Sequence, residues 1–505
     1  MSRTKKFLYN SSTSALQQIV TMIVGLITPR IMLTCYGSEI NGLVSSITQF
    51  ISYFVLVEAG LSNAAVYALY KPLADKDHGA INGVVTAAKW FYTISGYIFV
   101  ALTMSLALLY PLYIKSDVLN PVEIGILVLI LGTSGTLDFF TLSKYRALLT
   151  ADQKTYVISL ATILHTIVNT IIICSFALLG ANIVWTRFIA LFSIFMRSII
   201  LMVYCRRNYK FLDYKVEPNK AALNKRWDAL LLQILGVVHT GAPAVIITLM
   251  LKDLKLVSVY SVFNMVLVGI GGVLSVFTSG VAASFGEVIA RKEGETLKKS
   301  YREFECMYYL MITVVYSIAF VMIMPFINIY TNDVTDINYN MPILGFLFVL
   351  NGLLYNLKTP QGMLVISAGH YKETKMQTIT QALIAVIGGI ALAPFLGIYG
   401  IMIASILSNL YRDIDLLFYI PKNVTKTEVS GTFWRMVRVF VCAALSLIPF
   451  LFIKYEPTTL ISWALYAIPV GIYVLSVTML ITYIFDKAEL KNVIKRIKRL
   501  VIKNG

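Results

Sequence analysis

Apolar residues fall along this chain in long blocks, each closed by a short polar break, and the alternation recurs from Ser11 to Tyr483. Blocks of about 20 residues are the length at which an α-helix crosses the hydrocarbon core of a bilayer. Setting apolar windows against the breaks predicts fourteen helices, at residues 11–35, 40–69, 83–112, 119–145, 155–178, 181–205, 228–250, 257–285, 304–330, 341–366, 375–395, 398–420, 434–453 and 459–485. Barrel strands would be shorter and would alternate apolar with polar positions. The pattern therefore predicts an all-α integral membrane protein with 14 transmembrane helices. No stretch is left over for a soluble domain.

The chain also repeats itself. LLTADQKTYVISLATIL (148–164) parallels VISAGHYKETKMQTITQAL (365–383), and LLGANIVWTRF (178–188) parallels FLGIYGIMIAS (395–405), each displaced by 217 residues. EINGLVSSITQF (39–50) parallels KLVSVYSVFNMV (255–266) at nearly the same displacement. Each half then holds six spans, an even number, so the halves share an orientation and relate by an axis along the membrane normal.

The expected organisation is an amino-terminal lobe at 1–205 (helices 1–6), a basic cytoplasmic linker at 206–227, and a carboxyl-terminal lobe at 228–420 (helices 7–12). Two appended helices, 13 and 14, follow at 421–485, and a basic tail at 486–505. The two six-helix lobes would face each other across a cavity. In the tail, Val493, Ile494, Ile497, Leu500 and Val501 recur at helical spacing opposite Lys and Arg. That is the pattern of an amphipathic helix lying on an anionic inner leaflet; a plain solvated tail is the other reading.

Composition sharpens this picture without changing it. The 505 residues are 58% hydrophobic and 14% charged, against about 25% charged in a soluble domain. Of the 43 Lys and Arg, four (Lys115, Lys252, Lys255 and Lys454) fall in odd-numbered connections and six within spans. The rest gather at the amino terminus, the carboxyl terminus and the even-numbered connections, so the positive-inside rule predicts that both termini are cytoplasmic. The first apolar block is a full span with no small-residue cleavage site behind it, which reads as a retained helix. Five cysteines, Cys35, Cys174, Cys205, Cys306 and Cys442, lie in or beside spans without paired loop spacing, and suggest neither a disulfide framework nor a zinc site.

Enzymatic chemistry has little to stand on. There is no GxxxxGK[ST], HExxH or CxxC, and His78, His165, His239 and His370 are scattered. No cofactor, catalytic residue, metal ligand or nucleic-acid partner is expected. What stands out is charge within the spans: Arg30, Lys89, Arg187, Arg197, Lys358 and Arg412, with Glu58, Asp138, Asp413 and Asp415. Such groups face a partner or a wet cavity, because lipid does not solvate them. By position along each helix, Arg30 and Arg187 lie toward the outer side, Glu58, His165 and His239 near the middle, and Asp138, Arg197, Lys358, Arg412, Asp413 and Asp415 toward the inner side.

Each candidate has a bland reading and a functional one. Arg30, in ITPRIMLTCYG, either snorkels to outer headgroups or contacts substrate, with Pro29 loosening the turn on which it sits. A guanidinium fork suits a phosphate better than an ammonium does. Arg187, Arg197 and Lys358 join Arg30 as candidate substrate-binding residues. Glu58 has no basic neighbour one turn away on its own helix, and is either a protonated carboxyl bonded to backbone or a proton or cation site. Asp138 and Lys358 stand near equivalent repeat positions, which allows a salt bridge closing the cytoplasmic side or two unrelated partners. Arg412 with Asp413 and Asp415 forms a set able to satisfy itself. Glu58, Asp138 and Arg412 are the candidates for gating or ion coupling. His165 and His239 read as packed core residues or as proton carriers.

The stretch from ITPRIMLTCYGSEINGL through VEAGLSNAAVYALYKPLADKD resembles the first two helices of bacterial polysaccharide flippases and the related lipid II flippases. These form the oligosaccharide flippase branch of the multidrug, oligosaccharidyl-lipid and polysaccharide exporter superfamily. The shared features are an Arg-bearing first helix ending in a Gly-bearing outer turn, then a Glu-Ala-Gly step before Asn and small residues. Arg30 and Glu58 are the residues carried over by that motif. The resemblance implies alternating access between two six-helix lobes around a cationic cavity. The implied cargo is an undecaprenyl-diphosphate-linked oligosaccharide, moved from the inner to the outer leaflet of the bacterial plasma membrane for cell-surface polysaccharide biosynthesis. It further implies a groove for the lipid tail formed by helices 13 and 14. The basic tail makes anionic inner-leaflet lipids an expected partner, beside polysaccharide assembly proteins, and a potential negative inside would itself favour outward movement of an anion, with coupling to an H⁺ or Na⁺ gradient left open.

Two rivals remain. A drug or cation antiporter of the same superfamily would want a cavity that leans acidic, whereas the charges in the spans here lean basic. A membrane-embedded polysaccharide polymerase or glycosyltransferase would want a sizeable outer loop, and the outer breaks, such as CYGSE, LGAN and LGIYG, are all short.

Overall fold

The computed structural model describes residues 3–58, 61–223, 227–278, 281–453, 455–492 and 495. The tail positions Val493, Ile494, Ile497, Leu500 and Val501 lie outside the described residues. The described residues form helices joined by turns and short irregular connections, with no strand among them. Among the described residues, twelve helical stretches are long and apolar enough to cross a membrane. Two of those carry an internal glycine with non-helical backbone: Gly37 at φ 80°, ψ 174° and Gly397 at φ 56°, ψ −136°. Both are at breaks anticipated from the sequence, CYGSE and LGIYG. Positive φ is what a residue lacking Cβ supplies without strain.

The chain divides into two compact units, Met1–Ser261 and Val262–Gly505. The division falls inside the helix Leu254–Thr278 and does not coincide with the expected boundary at 206–227. Within the first unit, the arm after Gly37 lies directly on the start of that helix. A Cβ built on Gly42 would stand 1.7 Å from the carbonyl oxygen of Leu254, so only glycine permits this approach. Asn41 Nδ2 donates to Ser258 Oγ at 2.7 Å, and Ser46 shares a hydrogen bond with Thr248 at 2.9 Å while accepting from Tyr110 at 2.9 Å. The residues after Gly37 thus meet the opening turn of the helix Leu254–Thr278 within this unit.

The basic segment beginning at Arg206 packs on this same unit. Asn82 Nδ2 donates to Phe211 O at 3.0 Å, Asn219 N donates to Gly83 O at 3.1 Å, and the His78 ring stacks on Phe211 at 3.9 Å. Lys220 sits 3.9 Å above the Trp90 ring. Nearby, Asp152, in the turn between the helices Ser143–Ala151 and Thr155–Leu178, pairs with Lys6 at 3.1 Å and Lys154 at 2.8 Å and accepts from Tyr209 at 2.6 Å. Burial alone would raise its carboxyl, but Lys154, Tyr209 and Lys6 outweigh it and hold Asp152 below the usual carboxylate range.

The second unit is organised on the helix Gly294–Tyr330. The helix Leu460–Phe485 packs against it through Met322, Val470 and Val474, with Trp463 Nε1 donating to Met322 O at 3.0 Å. Farther along, Arg435 binds three carboxylates: Glu305 at 2.8 Å, Asp486 at 3.1 Å and Glu489 at 3.0 Å. Arg438 adds a 2.6 Å contact to Asp486. Glu305 also accepts from Tyr301 at 3.1 Å and Thr432 at 2.9 Å, so its ionised form is satisfied although it is almost fully buried. Large apolar side chains such as Leu108, Leu112, Leu179, Trp185 and Phe395 stay exposed, the surface a lipid-embedded protein presents to acyl chains.

Candidate functional site

Four charged side chains meet in the first unit. The helix Pro121–Leu137 passes into a π turn at Asp138–Leu142 and resumes as Ser143–Ala151. A π turn inserts one extra residue. Asp138 and Arg146, eight apart, therefore gain nearly the alignment that seven residues give in an α-helix of 3.6 per turn. Arg146 Nη1 reaches Asp138 Oδ2 at 2.9 Å, and its Nη2 reaches Glu58 at 3.4 Å and donates to Ser143 Oγ at 3.1 Å. Glu58 ends the short 3₁₀ turn Val55–Glu58. Arg197, from the helix Phe192–Asn208, closes the set at 3.3 Å from Asp138. Two carboxylates face two guanidiniums, and the cluster is neutral as a whole.

This geometry answers several of the expectations above. Glu58 does have a basic partner, reached across the fold. Asp138 pairs with Arg146 and Arg197, and in the second unit Lys358 bonds Asn409. Arg146 falls one residue past the apolar block 119–145, so it does not stand out as a charge within a span. Its eight-residue spacing from Asp138 carries a signal only once the π turn is known.

Arg30 and Arg187 are placed differently. Arg30 lies half-buried in the helix Arg3–Phe54, which runs unbroken through Pro29 and departs from helical geometry only at Gly37. Thr34 Oγ1 donates to the Arg30 carbonyl at 3.1 Å. The helix therefore tolerates Pro29, and the loosened turn expected at Arg30 is not where the backbone breaks. Arg187 is in the helix Ile183–Ala190, which is capped at its amino end by Asn182, whose side chain accepts from Val184 N at 2.8 Å. The Arg187 Nη2 lies 3.7 Å from Met32 Sδ and its charge acts on the Tyr36 phenol. Tyr36 itself is held by Ala181 O at 2.8 Å and Thr186 at 2.9 Å. Among the described residues, Arg187 Nε has no hydrogen-bond acceptor.

In the second unit, Lys358 stands at the break between the helices Pro342–Leu357 and Thr359–Ala368, two residues before Pro360. Its Nζ donates to Asn409 Oδ1 at 2.6 Å and lies 4.7 Å above the Tyr355 ring. Asn409 donates in turn to Asn351 Oδ1 at 2.9 Å. Arg412 pairs with Asp415 at 2.6 Å. Asp413 does not share in that pair as expected: it is 3% exposed, and neither carboxyl oxygen has a hydrogen-bond partner among the described residues. His239 is buried, and His370 bonds Tyr419 at 3.0 Å. No group of three or more His, Cys, Asp or Glu among the described residues is arranged to hold a metal ion.

No family model and no curated protein sequence matches the chain. Solved structures do match. A lipid II flippase, MurJ, in an inward closed conformation aligns over 93% of this chain and 98% of its own, with a TM-score of 0.62 and 15% identity. An inward-facing multidrug resistance MATE family transporter of the MOP superfamily aligns over 83% and 95%, with a TM-score of 0.59 and 15% identity. A MOP superfamily transporter from Pyrococcus furiosus aligns over 86% and 95%, with a TM-score of 0.58 and 15% identity. At such identities the likeness is one of fold alone: the chain folds like these transporters.

Proposed function

We propose that this chain is a flippase for a lipid-linked oligosaccharide, carrying an undecaprenyl-diphosphate-linked glycan from the cytoplasmic to the outer leaflet of a bacterial plasma membrane. The observation that carries this reading is Arg187, a guanidinium inside a spanning helix whose neighbours are a thioether and a phenol. A cation in that setting favours an anionic ligand, and a diphosphate matches its fork. Arg30, half-buried earlier in the same unit, is the second candidate contact, with Arg197 and Lys358 as reserves that would first have to leave Asp138 and Asn409. A diphosphate head does not cross hydrocarbon unaided, whereas a cationic wet cavity shields it while the polyprenyl tail remains in lipid.

Counting the arms on either side of Gly37 and Gly397 separately turns twelve stretches into the fourteen spans of this proposal. Two six-helix lobes alternate access, helices 13 and 14 form the tail groove, and both termini are cytoplasmic. Transport is non-enzymatic. A potential negative inside contributes about 2.3 kcal/mol per charge per 100 mV to outward movement of an anion. The neutral cluster of Glu58, Asp138, Arg146 and Arg197, together with the Arg412–Asp415 pair, supplies gating contacts. Anionic inner-leaflet lipids and polysaccharide assembly proteins are the proposed partners.

The test is movement of a fluorescent undecaprenyl-diphosphate-oligosaccharide across proteoliposomes. Wild-type protein should move it, and Arg187→Ala should slow it tenfold or more, with a smaller loss for Arg30→Ala. Equal rates for wild type and Arg187→Ala would remove Arg187 from the substrate path. No movement by wild type, with uptake of a cationic dye instead, would favour the antiporter.

A further inference from the structure

The buried carboxyl at Asp413 has no role in the reading above and does not depend on what the protein carries. An ionised carboxylate that accepts no hydrogen bond in so enclosed a position is strongly disfavoured, and the protonated form relieves that cost. Asp413 follows Asn409, the partner of Lys358, by four residues on the helix Lys375–Ile420, so the two side chains share one face of that helix. Lys358 acts on it electrostatically, and Asp413 acts on the Tyr309 phenol from the helix Gly294–Tyr330. Arg412 reaches Lys358 with its charge but commits its guanidinium to Asp415. Lys358 is itself committed to the amide oxygen of Asn409. Its anchor is a helix break rather than a continuous turn, and its four-carbon stem is flexible.

We propose that Asp413 and Lys358 form a proton-binding switch. With Lys358 donating to Asn409, Asp413 carries a proton. When Lys358 turns to Asp413, the carboxyl O–H bond breaks, the proton leaves to water, and the carboxylate is held by the ammonium. A metal cation is a poor occupant, because the ammonium repels it and Asn409 Oδ1 is already taken.

The experiment is pH-difference infrared spectroscopy of the full chain in lipid nanodiscs, following the carbonyl stretch of protonated carboxyl groups. Wild type should show a buried carboxylic acid band that Asp413→Asn abolishes and Asp415→Asn retains. Lys358→Met should move the midpoint of that band by about one pH unit or more. Asp413→Asn spectra that superimpose on wild type would overturn the proposal. Should Asp413→Asn fail to fold, Lys358→Met decides alone, and an unmoved midpoint overturns the switch.

Discussion

Asp138 in the first unit and Lys358 in the second both stand where a spanning helix is interrupted, by a π turn in one case and by a break before Pro360 in the other. Their surroundings differ. Asp138 is locked between two guanidiniums, whereas Lys358 bonds a neutral amide and leaves Asp413 without a donor among the described residues. The interruptions thus go with a set of compensated charges in one unit and, in the other, a buried carboxyl that accepts no hydrogen bond among the described residues. The lesson is that a helix break creates room for polar groups, and the partners delivered by other helices decide whether that room holds a structural ion pair or a titrating group.

The comparison can be tested by removing charges, and the largest effect should come where compensation is most complete. Arg435→Met strands Glu305, Asp486 and Glu489 and should cost about 3–5 kcal/mol in unfolding, the range for breaking a buried ion pair; denaturant unfolding in detergent measures it. Arg146→Met leaves Glu58 without its guanidinium and Asp138 with Arg197 alone, in a less buried setting. We expect about 2 kcal/mol there, between the exposed and fully buried cases.

The sharpest contrast is between two single-atom changes. Asp138→Asn should destabilise by about 1–2 kcal/mol because it discards two ion pairs. Asp413→Asn should be neutral within about 0.5 kcal/mol, since surroundings that offer no donor to a carboxylate have little to lose. Equal losses at the two positions would erase the distinction between the units. The smallest effect lies outside the membrane, at Asp152. Its carboxyl is held below its ordinary value, so its stabilisation is fully present above the unfolded carboxylate pKa, about 3.9, and is lost as pH falls through the lower folded value. Lys154→Met should flatten that acid limb by under about 1 kcal/mol, read from unfolding midpoints across the acid range.

What the sequence by itself determined was the part of the fold governed by local chemistry. Apolar block length places the spans, because a helix of given rise must match a bilayer of given thickness. CYGSE and LGIYG place two sharp turns, because only a residue without Cβ takes Gly37 and Gly397 through positive φ at little cost. The charged residues inside spans were equally legible, since their expense in lipid singles them out wherever they occur. Their partners were not. Arg146 meets Glu58 across 88 residues of chain and meets Asp138 only through a π turn, and Asp413 stands apart from the neighbours in sequence that were expected to satisfy it. Pairing is a property of distance in space, and in a helical membrane protein that distance is set by which helix faces meet, a matter the tertiary structure alone decides.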